Sequence, residues 1–275
     1  MKKNLSEEEL SSYQRDGFLL CRTLFSPDEI ALLYKTATDD AITTNAMDFR
    51  DTTGKDTKLT LWFTPGEDAF GLMSRSERLV FAVSKLLQKT PEEVCHFHSK
   101  VMQKQPLTGG AWEWHQDYGY WYKNGFLYPE AMISVMVALT EATIENGCLQ
   151  VLKGSHKMQR IEHNFVGEQQ GADSDFVQEA AKICELVYCE LKPGDVLFFH
   201  SNILHRSDAN TSGKSRWSVI SAYNLNYNKP FREKHLSCIE PIRIVDDSAL
   251  LASGTQQPVA VDFLKKQDEI TLHVK

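Results

Sequence analysis

The chain has no apolar run long enough to cross a bilayer, no Cys-x-x-Cys pair, no excess of basic residues, no internal repeat and no low-complexity linker. Each absence removes a class of function. Without a spanning run there is no candidate membrane helix, and Met1-Lys2-Lys3-Asn4 leads directly into acidic residues with no apolar signal region. A formal net charge of −7 argues against a general nucleic-acid binder, because phosphate affinity rests on clustered Lys and Arg. A local basic pocket for a small anion remains compatible with it. The six cysteines (Cys21, Cys95, Cys148, Cys184, Cys189, Cys238) are scattered. They offer no zinc-ribbon spacing and read as buried thiols of a reduced, cytoplasmic protein.

What is present belongs to an ordinary globular protein: 275 residues, 42% hydrophobic and 24% charged. That length suits one large domain, and with no linker in sight residues 1–275 are read as one. Ser6-x-x-Glu9 and Ser26-Pro27-Asp28-Glu29 carry helix-start chemistry, with Gly17 ending the first helix and Phe18 to Cys21 forming a short strand. The second helix is expected to bury Ile30, Leu33 and Tyr34. The polar stretch 39–58 reads as a loop able to cover a site, 59–63 as a strand, and Ser74 to Gln88 as a helix. Residues 1–93 thus look like a mainly helical support. From Val94 the period changes to two, placing His96, His98, Lys100, Met102 and Lys104 on one face polar enough to line a cavity. Short strands follow near 132–139, 148–152, 186–191, 196–199 and 217–223, with an irregular excursion containing a helix between 161 and 182. This pattern predicts a mainly β protein with flanking helices, whose core at 94–225 is a sandwich or jelly roll.

The chemistry centres on Gly109-Gly110-Ala111-Trp112-Glu113-Trp114-His115-Gln116-Asp117-Tyr118-Gly119-Tyr120-Trp121-Tyr122. On an extended strand His115 and Asp117 would share a face, and a distant second imidazole would complete a 2-His-1-carboxylate metal site. Alone, His-x-Asp is more often a histidine beside a solvated carboxylate. Six aromatic residues within 112–122, against 10% overall, raise the case for a walled pocket. His200 and His205 are both candidates for the distal ligand, with His205 favoured because it opens a polar run at a strand end. Arg216 and Ser218, two apart, make a fork and a donor for a carboxylate.

The chain resembles the phytanoyl-CoA dioxygenase-like branch of the Fe(II)/2-oxoglutarate oxygenases over nearly its full length. The resemblance is carried by Tyr13-Gln14-Arg15-Asp16-Gly17-Phe18, His115-Gln116-Asp117, the run from Glu145 to His156, Pro193-Gly194-Asp195, His205 and Arg216. It implies a double-stranded β-helix (jelly-roll, cupin-like) core, iron ligated by His115, Asp117 and His205, and 2-oxoglutarate gripped by Arg216 with help from Ser207 and Ser218. It also implies further cosubstrate contacts at His98, Lys100 and Met102, and structural roles for His200 and His156. Met136 stands where some relatives carry a tryptophan. The implied reaction uses O2 to decarboxylate 2-oxoglutarate to succinate and hydroxylates an unactivated C–H bond. Related halogenases lack the carboxylate that Asp117 supplies.

For the substrate, Trp62, Trp114, Tyr118, Tyr120, Trp121, Arg160, His163, Arg206 and Asn224 are the pocket candidates. Rings and cations of this kind suit a small polar, zwitterionic molecule. The central motif is similar to that of bacterial aminophosphonate hydroxylases, suggesting 2-aminoethylphosphonate, and more distantly to that of ectoine hydroxylases. A free amino acid, a compatible solute such as ectoine, or an acyl-CoA are the alternatives. Two readings from other classes compete: a catalytically silent metal-binding jelly roll, and a cupin-like isomerase or hydrolase that needs neither O2 nor 2-oxoglutarate.

Overall fold

The computed structural model describes residues 5–232, 238–254 and 262–265. The helices are α1 (Glu7–Asp16), α2 (Pro27–Ala37), α3 (Asp40–Thr44), α4 (Ala69–Ser74), α5 (Glu77–Leu86), α6 (Asp117–Asn124), α7 (Ser174–Ile183) and α8 (Ala249–Ala252). The strands are β1 (Phe18–Cys21), β2 (Met47–Arg50), β3 (Asp56–Trp62), β4 (Val94–Lys104), β5 (Trp112–His115), β6 (Met132–Ala138) and β7 (Leu149–Leu152). They continue with β8 (His163–Val166), β9 (Gln169–Ala172), β10 (Leu186–Cys189), β11 (Val196–His200), β12 (His205–Ser207) and β13 (Arg216–Leu225).

Both expected capping boxes form. Ser6 accepts from the Glu9 amide while Glu9 reaches back to the Ser6 amide, and Ser26 and Glu29 do the same. Gly17 ends α1 at φ 84°, and a Cβ there would meet the His156 ring at 2.3 Å, so glycine is required on both counts.

The strands build two antiparallel sheets, a larger one ordered β1-β11-β6-β13-β4-β3-β2 and a smaller one ordered β10-β7-β12-β5, with β8 and β9 paired separately. Together they form the expected jelly roll. The large sheet is covered on both faces, which explains why β6 reads as an unbroken apolar run rather than an alternation. Its outward residues Ile133, Val135 and Val137 pack with Val80 and Val83 of α5 and Leu33 of α2. Its inward Met136 and Ala138 join Met102, Ile220, Leu197, Phe199 and Val151 in the space between the sheets. Each of the larger buried side chains among these (Val, Leu, Ile, Met, Phe) contributes about 1.5–3 kcal/mol.

The structure departs from the sequence reading in four places. Residues 39–58 hold α3 and the β2–β3 hairpin, which extends the large sheet, so they are not a structureless cover. The turn is made by Asp51, whose Oδ1 accepts from the Thr53 and Lys55 amides, and by Gly54 at φ 86°. The helix read across Ser74 to Gln88 is α4 followed by α5, broken at Arg75 and Ser76. Tyr34 is 36% exposed, at the rim of the helical layer against Trp217, instead of buried with Ile30 and Leu33. Finally, the β4–β13 register slips, with Ala222 opposite His98 but Tyr223 opposite His96. This bulge turns His96 away from His98. His96 bonds Ser99 on the helix-facing side at 2.9 Å and meets the Tyr223 ring edge-on.

Candidate metal and cosubstrate centre

In the smaller sheet β5 and β12 are neighbours, and His115 stands opposite His205. Their rings face each other with centroids 4.0 Å apart. Asp117 arrives differently from the extended geometry expected of it. The strand stops at His115, Gln116 caps the turn, and Asp117 opens α6, where a carboxylate is favoured by the helix dipole. Gln116 fixes this change of direction. Its side chain donates to Asn202 O at 3.0 Å and accepts from the Ile161 amide at 2.7 Å, while its own amide donates to His163 Nε2 at 2.9 Å.

The result is a compact donor set. Asp117 Oδ1 lies 3.8 Å from His115 Nε2 and 3.9 Å from His205 Nε2, and one ligand atom from each residue falls within 4.8 Å of the others. His115 Nδ1 is 2.7 Å from Glu113 O and His205 Nδ1 is 3.0 Å from Ile203 O. A carbonyl only accepts, so each Nδ1 carries the proton and each Nε2 lone pair faces the centre. Burial holds both imidazoles below their ordinary pKa, His115 far below. Burial alone would raise the Asp117 carboxyl, but Lys100, His205 and the Ser134 hydroxyl, donating to Oδ2 at 2.6 Å, bring it below its ordinary value. Two neutral imidazoles and an ionised carboxylate with an open side are a fitting donor set for ferrous iron.

A narrow cavity runs from this centre towards Arg216 and Ser207, walled by Met102, Met136, Leu149 and Phe199. Arg216 is 2% exposed, and its guanidinium donates to Gly147 O while its Nε has no partner. Burial lowers its pKa to about 10. Ser218 Oγ, two residues on, is buried and equally without a partner. No carboxylate of the described residues pairs with Arg216, and an unpaired buried cation is costly. This end of the cavity therefore fits an anionic group held by a guanidinium and a hydroxyl, as 2-oxoglutarate would supply. Lys104, opposite Arg216 in the register, is fully buried and donates to Ser207 O and Asp208 O.

The remaining expected site residues divide. His98, Lys100 and Met102 lie on the inward face of β4, and Lys100 Nζ is 4.0 Å from Asp117 Oδ1. Tyr120 packs beside His115 at 5.4 Å and donates to Gln170 O. Arg206 lines the cavity, stacks over Trp114 at 5.0 Å and bonds Gln150. Others are committed elsewhere. Trp62 is buried against Phe70 on the helix-facing side of the large sheet. Tyr118 and Trp121 pack with Phe97 and Phe126, and the Tyr118 hydroxyl donates to Phe126 O. Arg160 lies over Tyr122 and pairs with Glu162, leaving it at the surface. Both ring nitrogens of His163 are engaged, by the Gln116 amide and Ile161 O. Asn224 spends its amide on Asn228 and Cys238. His200 Nδ1 accepts from the Asn202 amide and its ring lies 5.2 Å from His156, outside the donor set. Two contributors went unread in the sequence, Gln116 and Ser134, while Lys104 was placed on the cavity face without a role. Ser134 had a signal, as the one polar residue in an otherwise apolar strand.

Comparison with known proteins agrees with this geometry. A 26% identical ectoine dioxygenase from Bordetella bronchiseptica aligns over 238 residues, 80% of this chain and 75% of that protein. An L-proline trans-4-hydroxylase from Streptomyces griseoviridis is 29% identical over 150 residues, covering 49% of this chain and 56% of that one. Among solved structures, EctD from S. alaskensis in its apo form superposes with a TM-score of 0.71 at 25% identity, and its form with bound Fe with 0.70 at 22%, each covering 88% of both chains. The family model for phytanoyl-CoA dioxygenase (PhyH) matches residues 13–218, and the chain belongs to this family of Fe(II)/2-oxoglutarate oxygenases.

Proposed function

We propose that the protein hydroxylates a small polar molecule at iron held by His115, Asp117 and His205, with the far carboxylate of 2-oxoglutarate received by Arg216, Ser218 and Ser207. Iron, 2-oxoglutarate and O2 together supply the oxidising power, with succinate and CO2 as coproducts. The chain supplies placement: carbonyl-bonded imidazoles that keep their lone pairs on the centre, a carboxylate oriented by Ser134, and a dry apolar wall of Met102, Met136 and Phe199 that excludes water. One observation carries the reading. The converging donor atoms and the unpartnered Arg216 Nε and Ser218 Oγ lie along one cavity.

For the substrate, relatives named for ectoine and proline favour a compatible solute or cyclic amino acid over the aminophosphonate suggested by the central motif. Treating residues 1–275 as a single oxygenase domain is supported by β1, β2 and β3, which come from the first 93 residues yet pair in the same sheet as β4, β6, β11 and β13. A reducing cytoplasm suits the six cysteines, which form no disulfide among the described residues, and among the described residues no helix is long and apolar enough to cross a membrane.

Anaerobic addition of Fe(II) and 2-oxoglutarate to the metal-free protein is the test. A weak visible charge-transfer band, followed by succinate formation on admitting O2 that rises with ectoine or L-proline, is the expected result. Absence of both band and succinate would refute the assignment, and turnover of a substrate without O2 would favour the isomerase or hydrolase reading.

A further inference from the structure

Lys100 and His98 are uncommitted in a site where nearly every other polar group is engaged. Among the described histidines, His98 is the one whose ring makes no hydrogen bond. It is 5% exposed and only packs, against Phe97 at 4.5 Å and Trp121 at 5.8 Å. Burial foremost, with Lys100 beside it, holds it far below its ordinary pKa, so it is a neutral imidazole with one donor and one acceptor. Lys100 has a side chain 15% exposed and makes no hydrogen bond. Its one charge contact is Asp117 Oδ1 at 4.0 Å. That separation is well beyond the roughly 2.7–2.9 Å of a charge-assisted bond, and Oδ1 is also the oxygen that faces the two imidazoles. Once a metal takes that oxygen, the ammonium faces a cation.

Lys100 lines the same cavity as Arg216, at its metal end, and the β4–β13 register sets how far Lys100 and His98 stand from the cosubstrate anchor. Arg216 lies opposite Lys104, while Lys100 and His98 lie opposite Ile220 and Ala222, roughly 13 and 20 Å further along the strand. The charges then fail to cancel. With Lys104 counted as neutral, because burial and the neighbouring Arg216 hold it well below its ordinary pKa, the metal's two positive charges fall to one with Asp117, Arg216 and Lys100 each add one, and dianionic 2-oxoglutarate removes two. Arg206 is balanced by Asp208 at 3.5 Å. One positive charge is left at the Lys100 end, where the side chain is only 15% exposed, and a largely desolvated cation without a partner is unfavourable.

We propose that Lys100, with His98 as a second donor, is a substrate-anion handle: the substrate carries an acidic group, a carboxylate or phosphonate, seated on these two side chains beside the metal. This rests on the oxygenase reading above and makes Lys100 a specificity residue rather than a cosubstrate contact. It fits substrates with a carboxylate on a small polar ring and excludes neutral or purely cationic ones.

The test is equilibrium binding by anaerobic calorimetry to protein loaded with Fe(II) and 2-oxoglutarate, with acetate and methylphosphonate as probes and acetamide as the neutral control. The acids are expected to bind saturably at millimolar concentration and acetamide not to bind. Lys100→Met is expected to weaken the acids by about tenfold or more, Lys100→Arg to retain them, and both to keep 2-oxoglutarate affinity within about twofold. Equal binding of acetamide, or undiminished acid binding in Lys100→Met, would overturn the proposal. So would loss of 2-oxoglutarate affinity in Lys100→Met, which would return Lys100 to the cosubstrate. Failure of wild-type protein to bind 2-oxoglutarate before any probe is added would instead refute the oxygenase reading.

Discussion

Ser134→Ala tests whether the carboxylate of Asp117 must be held from behind. The Ser134 hydroxyl donates to Asp117 Oδ2 at 2.6 Å in a fully buried setting, leaving Oδ1 to face the imidazoles. A hydrogen bond to a buried charged group contributes about 1.5–3 kcal/mol, which corresponds to about tenfold to hundredfold in an equilibrium constant. Partners behind metal ligands in general account for about 10–100-fold in affinity. Alanine fits the strand without a clash, so the loss should appear in metal binding more than in folding. Anaerobic titration with Fe(II) is expected to show affinity weakened by about tenfold to hundredfold, while the metal-free protein unfolds with a wild-type denaturant slope. A Ser134→Ala variant that binds Fe(II) like wild type would refute the reasoning, since Asp117 would then be oriented by α6 alone.

Arg216→Lys keeps the charge but removes the planar fork, and is expected to weaken 2-oxoglutarate about tenfold or more with little change in Fe(II) affinity, read by anaerobic titration. Gly119→Ala would put a Cβ 2.1 Å from the His163 ring. The ring must shift and release the Gln116 amide, so a loss of about 1–3 kcal/mol in urea unfolding is expected, whereas Gly213→Ala, with open space around it, should change nothing. Burial lowers the pKa of His96 to about 4. The unfolded chain therefore binds the extra proton first as pH falls, and a contribution of about 3 kcal/mol, complete above pH ~6.5, is lost progressively down to about pH 4. His96→Gln should flatten that part of the stability profile, and an unchanged slope would show that His96 is not its source.

The sequence made the ligands legible because they sit in a motif whose flanks are informative, while the backbone that delivers them was not. His115 and Asp117 converge as expected, yet through a strand end and a helix start rather than along one strand. That switch depends on Gln116 finding Asn202 and Ile161, contacts across 86 and 45 residues that no local pattern encodes. The alternation from Val94 put His98, Lys100 and Met102 on one face of β4, of which Lys100 and Met102 line the cavity. It failed at His96, since a bulge is set by pairing with β13 and not by composition. The aromatic run was harder still. Trp121 and Tyr118 serve a core beside the site and Tyr120 meets a ligand, because on α6 they point to different sides, and a count of rings cannot separate faces.

The two sheets divide the work of the site in a way that bears on what the enzyme accepts. The smaller sheet brings His115 and His205 together through one ladder position, so ligand geometry depends on β5 and β12 staying in register. The larger sheet supplies the groups suited to anions, with Arg216 and Ser218 on β13 and Lys100 and His98 on β4. Because β4 and β13 are paired over ten residue positions, the spacing between the cosubstrate anchor and the substrate handle is fixed by covalent geometry and ladder bonds rather than by loops. A change of substrate acid would be met at position 100, and because Lys100 lies 4.0 Å from Asp117 Oδ1 and helps keep that carboxylate ionised, such a change also acts on the metal ligand. Any shift of the β4–β13 register would move both anion sites at once.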